Sequence, residues 1–152
     1  MLMNSKERVL QREREKGRAA ALSLAMRAND MDGTSLIREE SNIPLWSENA
    51  VYTSEHIGYP VQDNGQVYII LQAHTPANNP GVRPADLPAI YSIKHTKDVD
   101  RAKPYIAPNG TSGLYMIGEV CTKDGKIWIS LIEHNSWGPN EPGTEKLWKE
   151  VV

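Results

Sequence analysis

Hydrophobic and polar positions follow the same order twice along this chain, sixty residues apart. The stretch 64–74 places Asn-Gly before Gln-Val-Tyr-Ile-Ile-Leu, and the stretch 124–134 places Asp-Gly before Lys-Ile-Trp-Ile-Ser-Leu, with no gap between the two registers. Gly58 and Gly118 match at the same offset, and each copy then runs into proline-rich sequence. A repeat this close indicates one structural unit that is used twice.

Each copy carries the pattern of a β-hairpin. The dipeptides Asn64-Gly65 and Asp124-Gly125 supply the positive φ angles of a two-residue turn, and the residues that follow are β-branched or aromatic. The sequence therefore predicts two small antiparallel β modules, at residues 45–96 and 97–152, and an α+β fold in which an N-terminal helical arm at 1–44 precedes the tandem modules.

The N-terminal segment has a helical character. Residues 4–30 contain no proline and one glycine, and Asn4 with Glu7 forms a possible capping box. The apolar stripe is thin, with seven-residue spacing but a glycine in the middle; its members are Met3, Leu10, Leu24 and Met31. An isolated helix of this kind is marginal in water, so we expect it to dock on other subunits. The alternative is a solvated arm packed loosely on its own domain. The stretch from Asp30 to Gly33 should end this first helix, and a second short helix capped by Thr34 should run to Glu40.

Length and composition fit one compact unit, or a tail followed by two very small units. The 152 residues carry a net charge of −2, which gives no basic face for nucleic-acid binding, and no stretch reaches the roughly twenty apolar residues of a membrane span. No apolar signal-peptide core is present, and the single cysteine excludes an intramolecular disulfide, which is consistent with folding in a reducing cytoplasm. Cys121 aligns with Val61 in the repeat and is expected to be a small buried side chain.

The sequence does not favour catalysis. His74 and His134 share a repeat position, which predicts a common structural role, and neither of the other two histidines has cysteine or carboxylate ligands at metal-binding spacing. Residues 110–113, Gly-Thr-Ser-Gly, lack the lysine and the following helix of a phosphate loop and are expected to form a turn. We therefore expect no enzyme, no cofactor and no metal site.

The aromatic residues favour binding instead. The chain has four tryptophans, six tyrosines and no phenylalanine, and rings with a polar handle suit interfaces. Tyr68 and Trp128 follow the hairpin turns among β-branched neighbours and are expected in the core. Trp137 lies in a loop and is the better candidate for an exposed platform.

Several of these residues together resemble a known family. The second copy carries Tyr115-x-x-Gly118-Glu119-Val120, Asp124-Gly125-Lys126-Ile127-Trp128, Trp137-x-Pro139 and Leu147-Trp148. The first carries Gly65-Gln66-Val67-Tyr68, Gln72-Ala73-His74-Thr75 and the stretch from Pro84 to Tyr91. These motifs resemble the small carbohydrate-binding modules of the chitin- and cellulose-binding type, in the form common in bacteriophage tail proteins. With the linking stretches, which are similar to tail-region proteins of prophages, the resemblance covers about residues 31–152.

The resemblance implies three-stranded modules that present aromatic rings to a polysaccharide. The rings it points to are Trp137, Trp148, Trp46 and Tyr91. The exposed aromatic pair of sugar-binding family members is replaced here by Gln72-Ala73 and Ile132-Glu133. The expected function is a glycan-binding phage tail component in the virion, anchored to other tail or baseplate subunits by residues 4–30. A homo-oligomer is expected, with a trimer plausible, and neither nucleic acid nor membrane is an expected partner. The alternative is a structural adaptor whose rings are buried against partner subunits.

Overall fold

A computed structural model describes residues 3–152 and shows an α+β fold. Helix α1 spans Ser5–Arg27 and helix α2 spans Gly33–Arg38, with short 3₁₀ turns at Ala28–Asp30 and Glu40–Asn42. The predicted capping box is present. Asn4 Oδ1 accepts the backbone N–H of Glu7 at 2.9 Å, and Glu7 Oε2 accepts the backbone N–H of Asn4 at 3.0 Å. Within 3–152, no helix combines the length and the apolar character that crossing a membrane requires.

Helix α2 is capped by a different residue from the one predicted. Asp32 accepts the N–H of Ser35 at 2.7 Å, so the helix begins at Gly33 and ends at Arg38. The hydroxyl of Thr34 accepts the N–H of Lys97 at 2.9 Å instead. The N-cap position needs an extended backbone, which Asp32 has, and Thr34 is already inside the helix.

The strands form two sheets. The first is antiparallel throughout and contains β1 (Pro60–Asp63), β2 (Gln66–Ile70) and β3 (Tyr91–Lys94). The second contains β4 (Lys103–Pro104), β5 (Val120–Lys123), β6 (Lys126–Ser130) and β7 (Trp148–Val151). It departs from the predicted three antiparallel strands because the short β4 pairs parallel to β5.

The sixty-residue repeat is visible in the hairpins. Asn64 and Asp124 both adopt positive φ angles, 49° and 55°, at the turns that join β1 to β2 and β5 to β6. Gly58 donates its N–H to the carbonyl of Ile70 at 2.8 Å, and Gly118 donates to Ser130 at 2.9 Å. The repeated sequence therefore produces a repeated backbone geometry.

Strand β2 is buried on both faces. Val67 and Ile69 pack against a cluster supplied by the helical segment, whose members are Leu24, Ala28, Leu36, Ile37 and Ile43. Tyr68 and Ile70 point to the other face and join an aromatic cluster. The end of α1 is consequently part of the first module's core, and only residues 3–19 form an exposed arm.

The two sheets contact each other directly. Thr96 accepts the N–H of Val120 at 2.8 Å, and Gln66 donates its side-chain amide to the carbonyl of Pro104. Glu40 on the helical segment also forms ion pairs with the guanidinium of Arg101, at 3.2 Å, and with the ammonium group of Lys103. Backbone pairing and ion pairs thus tie both modules and the helical segment together.

Candidate functional site

Two matched aromatic clusters lie on equivalent faces of the sheets. The first contains Trp46, Tyr52, Tyr68 and Tyr91, and the second contains Tyr105, Tyr115, Trp128 and Trp148. Backbone hydrogen bonds establish the correspondence. Trp46 donates to Gln62 and Tyr105 donates to Thr122, both at 2.8 Å. The two clusters are therefore versions of one arrangement.

Three of the four predicted ligand-binding rings are buried. Trp46 is 8% exposed, Tyr91 1% and Trp148 3%. The indole N–H of Trp46 donates to the Tyr91 hydroxyl at 3.0 Å, and the indole N–H of Trp148 donates to the carbonyl of Trp137 at 2.8 Å. The indole N–H groups and the Tyr91 hydroxyl have hydrogen-bond partners inside the protein, so these rings can lie in the core without leaving a polar group unpaired. Their faces do not form an exposed platform.

Trp137 is the exposed ring. Its side chain is 59% exposed on the loop that precedes β7. Its backbone is held on both sides, since its N–H donates to Asn135 Oδ1 at 3.2 Å and its carbonyl accepts the Trp148 indole. The predicted exposure of this residue is confirmed, and the loop presents the ring from an anchored backbone.

The paired residues Tyr68 and Trp128 differ in exposure. Tyr68 is 2% exposed, as predicted for a core residue, and burial raises the pKa of its hydroxyl to about 12. Trp128 is only half-buried, and its indole N–H donates to the carbonyl of Lys123 at 3.2 Å. Trp128 therefore departs from the predicted core position, because the loop packed beside it leaves an opening.

That opening is a concavity of about 370 Å³ on the second module. Its lining is formed by Trp128, Asn140, Glu141, Pro142, Thr144, Glu145 and Trp148. The loop at 140–145 supplies the polar groups, and the strands β6 and β7 supply the two indoles. Sequence reasoning missed this loop, although its Pro-Asn-Glu-Pro-Gly sequence between two tryptophans marks a rigid turn beside aromatic residues.

Internal hydrogen bonds fix the shape of the loop. Asn140, with a φ angle of 57°, donates its side-chain amide to Asp124 at 3.0 Å. The Thr144 hydroxyl donates to the carbonyl of Glu141 at 2.9 Å. Lys123 holds the Glu141 carboxylate at 3.0 Å and also donates to the carbonyl of Pro139. The concavity is therefore largely formed before any ligand arrives.

The equivalent region of the first module is filled by the chain itself. Tyr68 and Tyr91, with the prolines of the preceding loop, face the segment 106–113 of the second module, and only about 30 Å³ remains between them. The predicted turn at 110–113 makes this contact. Asn109 and Ser112 exchange two backbone hydrogen bonds of 2.9 Å, and a Cβ on Gly113 would lie 3.1 Å from the Ile93 side chain. The segment packs so closely that the first module keeps no comparable opening.

The two modules also carry inverted charge pairs. In the first, Arg83 from the loop binds Asp63 on β1 at 3.1 Å and lies 4.7 Å over the Trp46 ring. In the second, Lys123 occupies the repeat position of Asp63, binds Glu141 from the loop and lies 5.4 Å from the Tyr105 ring. A cation lies over the matched ring in both modules, but the loop supplies the cation in the first module and the carboxylate partner in the second.

The histidines at the shared repeat position do not share a role. His74 exchanges backbone hydrogen bonds with Tyr52, at 2.8 and 2.9 Å, whereas in the second module Asn135 makes this exchange with Tyr115. His134 is exposed with a φ angle of 51°. The prediction was wrong because the loop shifts by one residue after β6, which moves the pairing to the next position.

The buried titratable groups lie inside the fold rather than at the concavity. Cys121 is fully buried, as predicted, and burial raises the pKa of its thiol to about 12. His95 stacks on Tyr115 with 3.8 Å between ring centroids, and burial lowers the pKa of its imidazole to about 4. Across residues 3–152, no group of three or more histidine, cysteine or acidic side chains could hold a metal ion.

Comparison with protein-family models gives no match for this chain, and comparison with curated proteins gives none either. The chemistry of the concavity is therefore the basis for the functional conclusion. The half-buried indole of Trp128 can stack on an apolar ligand face, and the carboxylate and amide groups of the neighbouring loop can accept hydrogen bonds from the ligand's hydroxyls.

Proposed function

We propose that this chain is a non-catalytic component of a phage tail or tail-like particle that binds cell-surface glycan through its second β module. The observation that carries the proposal is the open concavity that exposes part of Trp128 beside the polar loop 140–145. Sugars combine apolar ring faces with hydroxyl groups, and this lining offers a partner for each. The sequence resemblance to phage-type carbohydrate-binding modules supports the same ligand class.

Trp137 supplies a second contact area. Its ring is exposed, and its carbonyl is bonded to Trp148, which lines the concavity. A polymeric glycan longer than the concavity can therefore contact the module at more than one ring. Exposed aromatic residues commonly dominate such contacts energetically.

Binding rather than catalysis is the proposed role of the two carboxylates in the lining. Glu141 is held by Lys123, and the amide of Glu141 lies 3.3 Å from the Thr144 hydroxyl. An ion-paired carboxylate can accept hydrogen bonds from the hydroxyl groups of a sugar.

The arm of α1 is the proposed contact with other tail or baseplate subunits. Residues 3–19 are all exposed and carry charged side chains of both signs. We expect residues 4–30 to mediate assembly into a homo-oligomer, with a trimer plausible, in a virion-associated protein made in the bacterial cytoplasm. Neither nucleic acid nor membrane is a proposed partner.

Calorimetric titration with host cell-wall polysaccharide and with chitin oligomers tests the glycan proposal. The unmodified protein should show saturable binding, and Trp137→Ala should weaken it by about tenfold, because truncation of an aromatic anchor typically costs more than 1 kcal/mol. Leu45→Ala is the matched control, since Leu45 is 76% exposed on the first module. Absence of heat with every glycan, from a folded protein, would contradict the proposal.

A structural adaptor is the second candidate function. It is favoured by the burial of three predicted binding rings and by the segment 106–113, which covers the first module's aromatic face. An adaptor should bind no glycan and should lose the exposure of Trp137 on assembly. Fluorescence quenching of Trp137 by acrylamide, in the free protein and in the assembled particle, separates the two functions.

A further inference from the structure

The chemistry of the second-module concavity indicates a narrower ligand class. We propose that it takes an amino-sugar glycan whose amino groups are free and positively charged rather than acetylated. This inference rests on the proposed glycan-binding function. It is carried by the charge of the lining, by the contrast with the first module and by the indole at the opening.

The lining of the concavity is negatively charged. Glu141 and Glu145 are its two charged residues, and both are carboxylates. Lys123 pairs with Glu141 at 3.0 Å, whereas no lysine or arginine among residues 3–152 lies within salt-bridge distance of Glu145. Glu145 accepts a single backbone N–H, from Gly143 at 3.3 Å. One carboxylate at the rim therefore remains available to a cationic ligand.

The negative lining is particular to the open module. At the corresponding place in the first module the loop residue is Arg83, and its carboxylate partner lies on the strand. The shared fold therefore accommodates either sign of charge on this loop. The open module lines its concavity with two carboxylates, whereas in the covered module the loop carboxylate Asp86 accepts the backbone N–H of Arg83 at 2.9 Å and does not line the remaining space.

The aromatic wall suits the same ligand. Trp128 is half-buried and lines the opening with the carboxylates. An ammonium group near an indole face gains a cation–π attraction of about 0.5–1 kcal/mol at exposed sites, which a neutral acetamide does not gain. A free amine can also pair with Glu145, while the sugar ring retains its apolar contact with the indole.

The test compares glucosamine oligomers with N-acetylglucosamine oligomers of the same length, at a pH where the free amines are protonated. Calorimetric titration of the full-length protein should show binding roughly tenfold tighter for the glucosamine oligomer, from the combined ion-pair and cation–π attraction. Glu145→Gln keeps the shape of the side chain and should weaken only the glucosamine complex, by about threefold. Glu55→Gln is the control, because Glu55 is exposed on the first module and far from this lining in sequence and module.

The outcomes separate the two proposals. Equal affinity for both oligomers would overturn the amino-sugar inference and leave the glycan-binding function standing. An equal loss of glucosamine binding in both variants would also overturn it, because the attraction would then be a general effect of net charge. Absence of binding by either oligomer and by host polysaccharide would overturn the glycan-binding function itself.

Discussion

At the scale of single residues, burial in the fold changes the titration of His95. It is 7% exposed, its ring stacks on Tyr115, and its Nε2 lies 3.0 Å from the carbonyl of Gly113. Burial disfavours the charged imidazolium and lowers the pKa of His95 from 6.5 to about 4. Since Gly113 belongs to the segment that covers the first module, the neutral state of this histidine is linked to the contact between modules.

His95 should make the protein less stable in mild acid. Between about pH 6.5 and pH 4 the unfolded chain binds a proton at this site and the folded chain does not, so the free energy of unfolding falls as the pH falls. The contribution is fully present above pH 6.5 and its loss approaches about 3 kcal/mol near pH 4, at 1.36 kcal/mol per pKa unit. Urea unfolding of the unmodified protein and of His95→Gln across this range measures it.

The variant isolates this contribution from others of opposite sign. Burial raises the pKa of Glu119, which adds stability in acid, but Glu119 is present in both proteins. The difference between the two free energies of unfolding should therefore change with pH only because His95 titrates. Parallel curves for the two proteins would show that the imidazole is not held neutral in the fold.

At the scale of elements, the two central strands show how one pattern produces two environments. Ile69 on β2 is 1% exposed beneath the helical segment, whereas Ile129, its repeat partner on β6, is only half-buried. Both strands keep the same register with their hairpin partners. The difference comes from the end of α1 and from α2, which cover one sheet and not the other.

Matched substitutions should measure what the helical cover contributes. Ile69→Ala removes buried methyl groups and should cost about 2–5 kcal/mol in the free energy of unfolding, because it leaves a cavity under Leu36 and Ile37. Ile129→Ala should cost clearly less, since water already reaches that side chain. Urea denaturation of both variants compares the two costs, and equal losses would mean that the second sheet face is covered as well.

These elements also show what sequence reasoning can reach. The hairpins were predictable, because Asn-Gly and Asp-Gly specify the turn locally, and so was the capping box at Asn4. The cover over Ile69 and the opening beside Trp128 were not, because both depend on which segment packs against which sheet. The repeat alignment also matched His134 with His74. The loop after β6 is shifted by one residue, so Asn135 and not His134 makes the backbone pairing that His74 makes in the first module. Exposure of individual rings, as at Trp46, follows from tertiary packing that the pattern does not encode.

At the scale of the whole molecule, the chain divides into an exposed arm and a packed body at a different place from the expected boundary. The sequence suggests an arm through residue 44, so removal of residues 1–30 should leave the modules folded. The structure instead places Leu24 and Ala28 in the core beneath β2. Only 3–19 are exposed throughout, a length that extends about 22 Å along the helix from residue 5 to residue 19.

Two truncations should therefore separate assembly from stability. Deleting residues 1–19 should convert the proposed oligomer to a monomer in light scattering, with the urea midpoint of the body unchanged, because no core side chain is removed. Deleting residues 1–30 should also give a monomer. It should in addition lower the free energy of unfolding by about 2–5 kcal/mol, because Val67 and Ile69 lose their contacts with Leu24 and Ala28. An unchanged oligomer after the shorter deletion would place the assembly contacts on the body, where the open face of the second sheet would be the next surface to test.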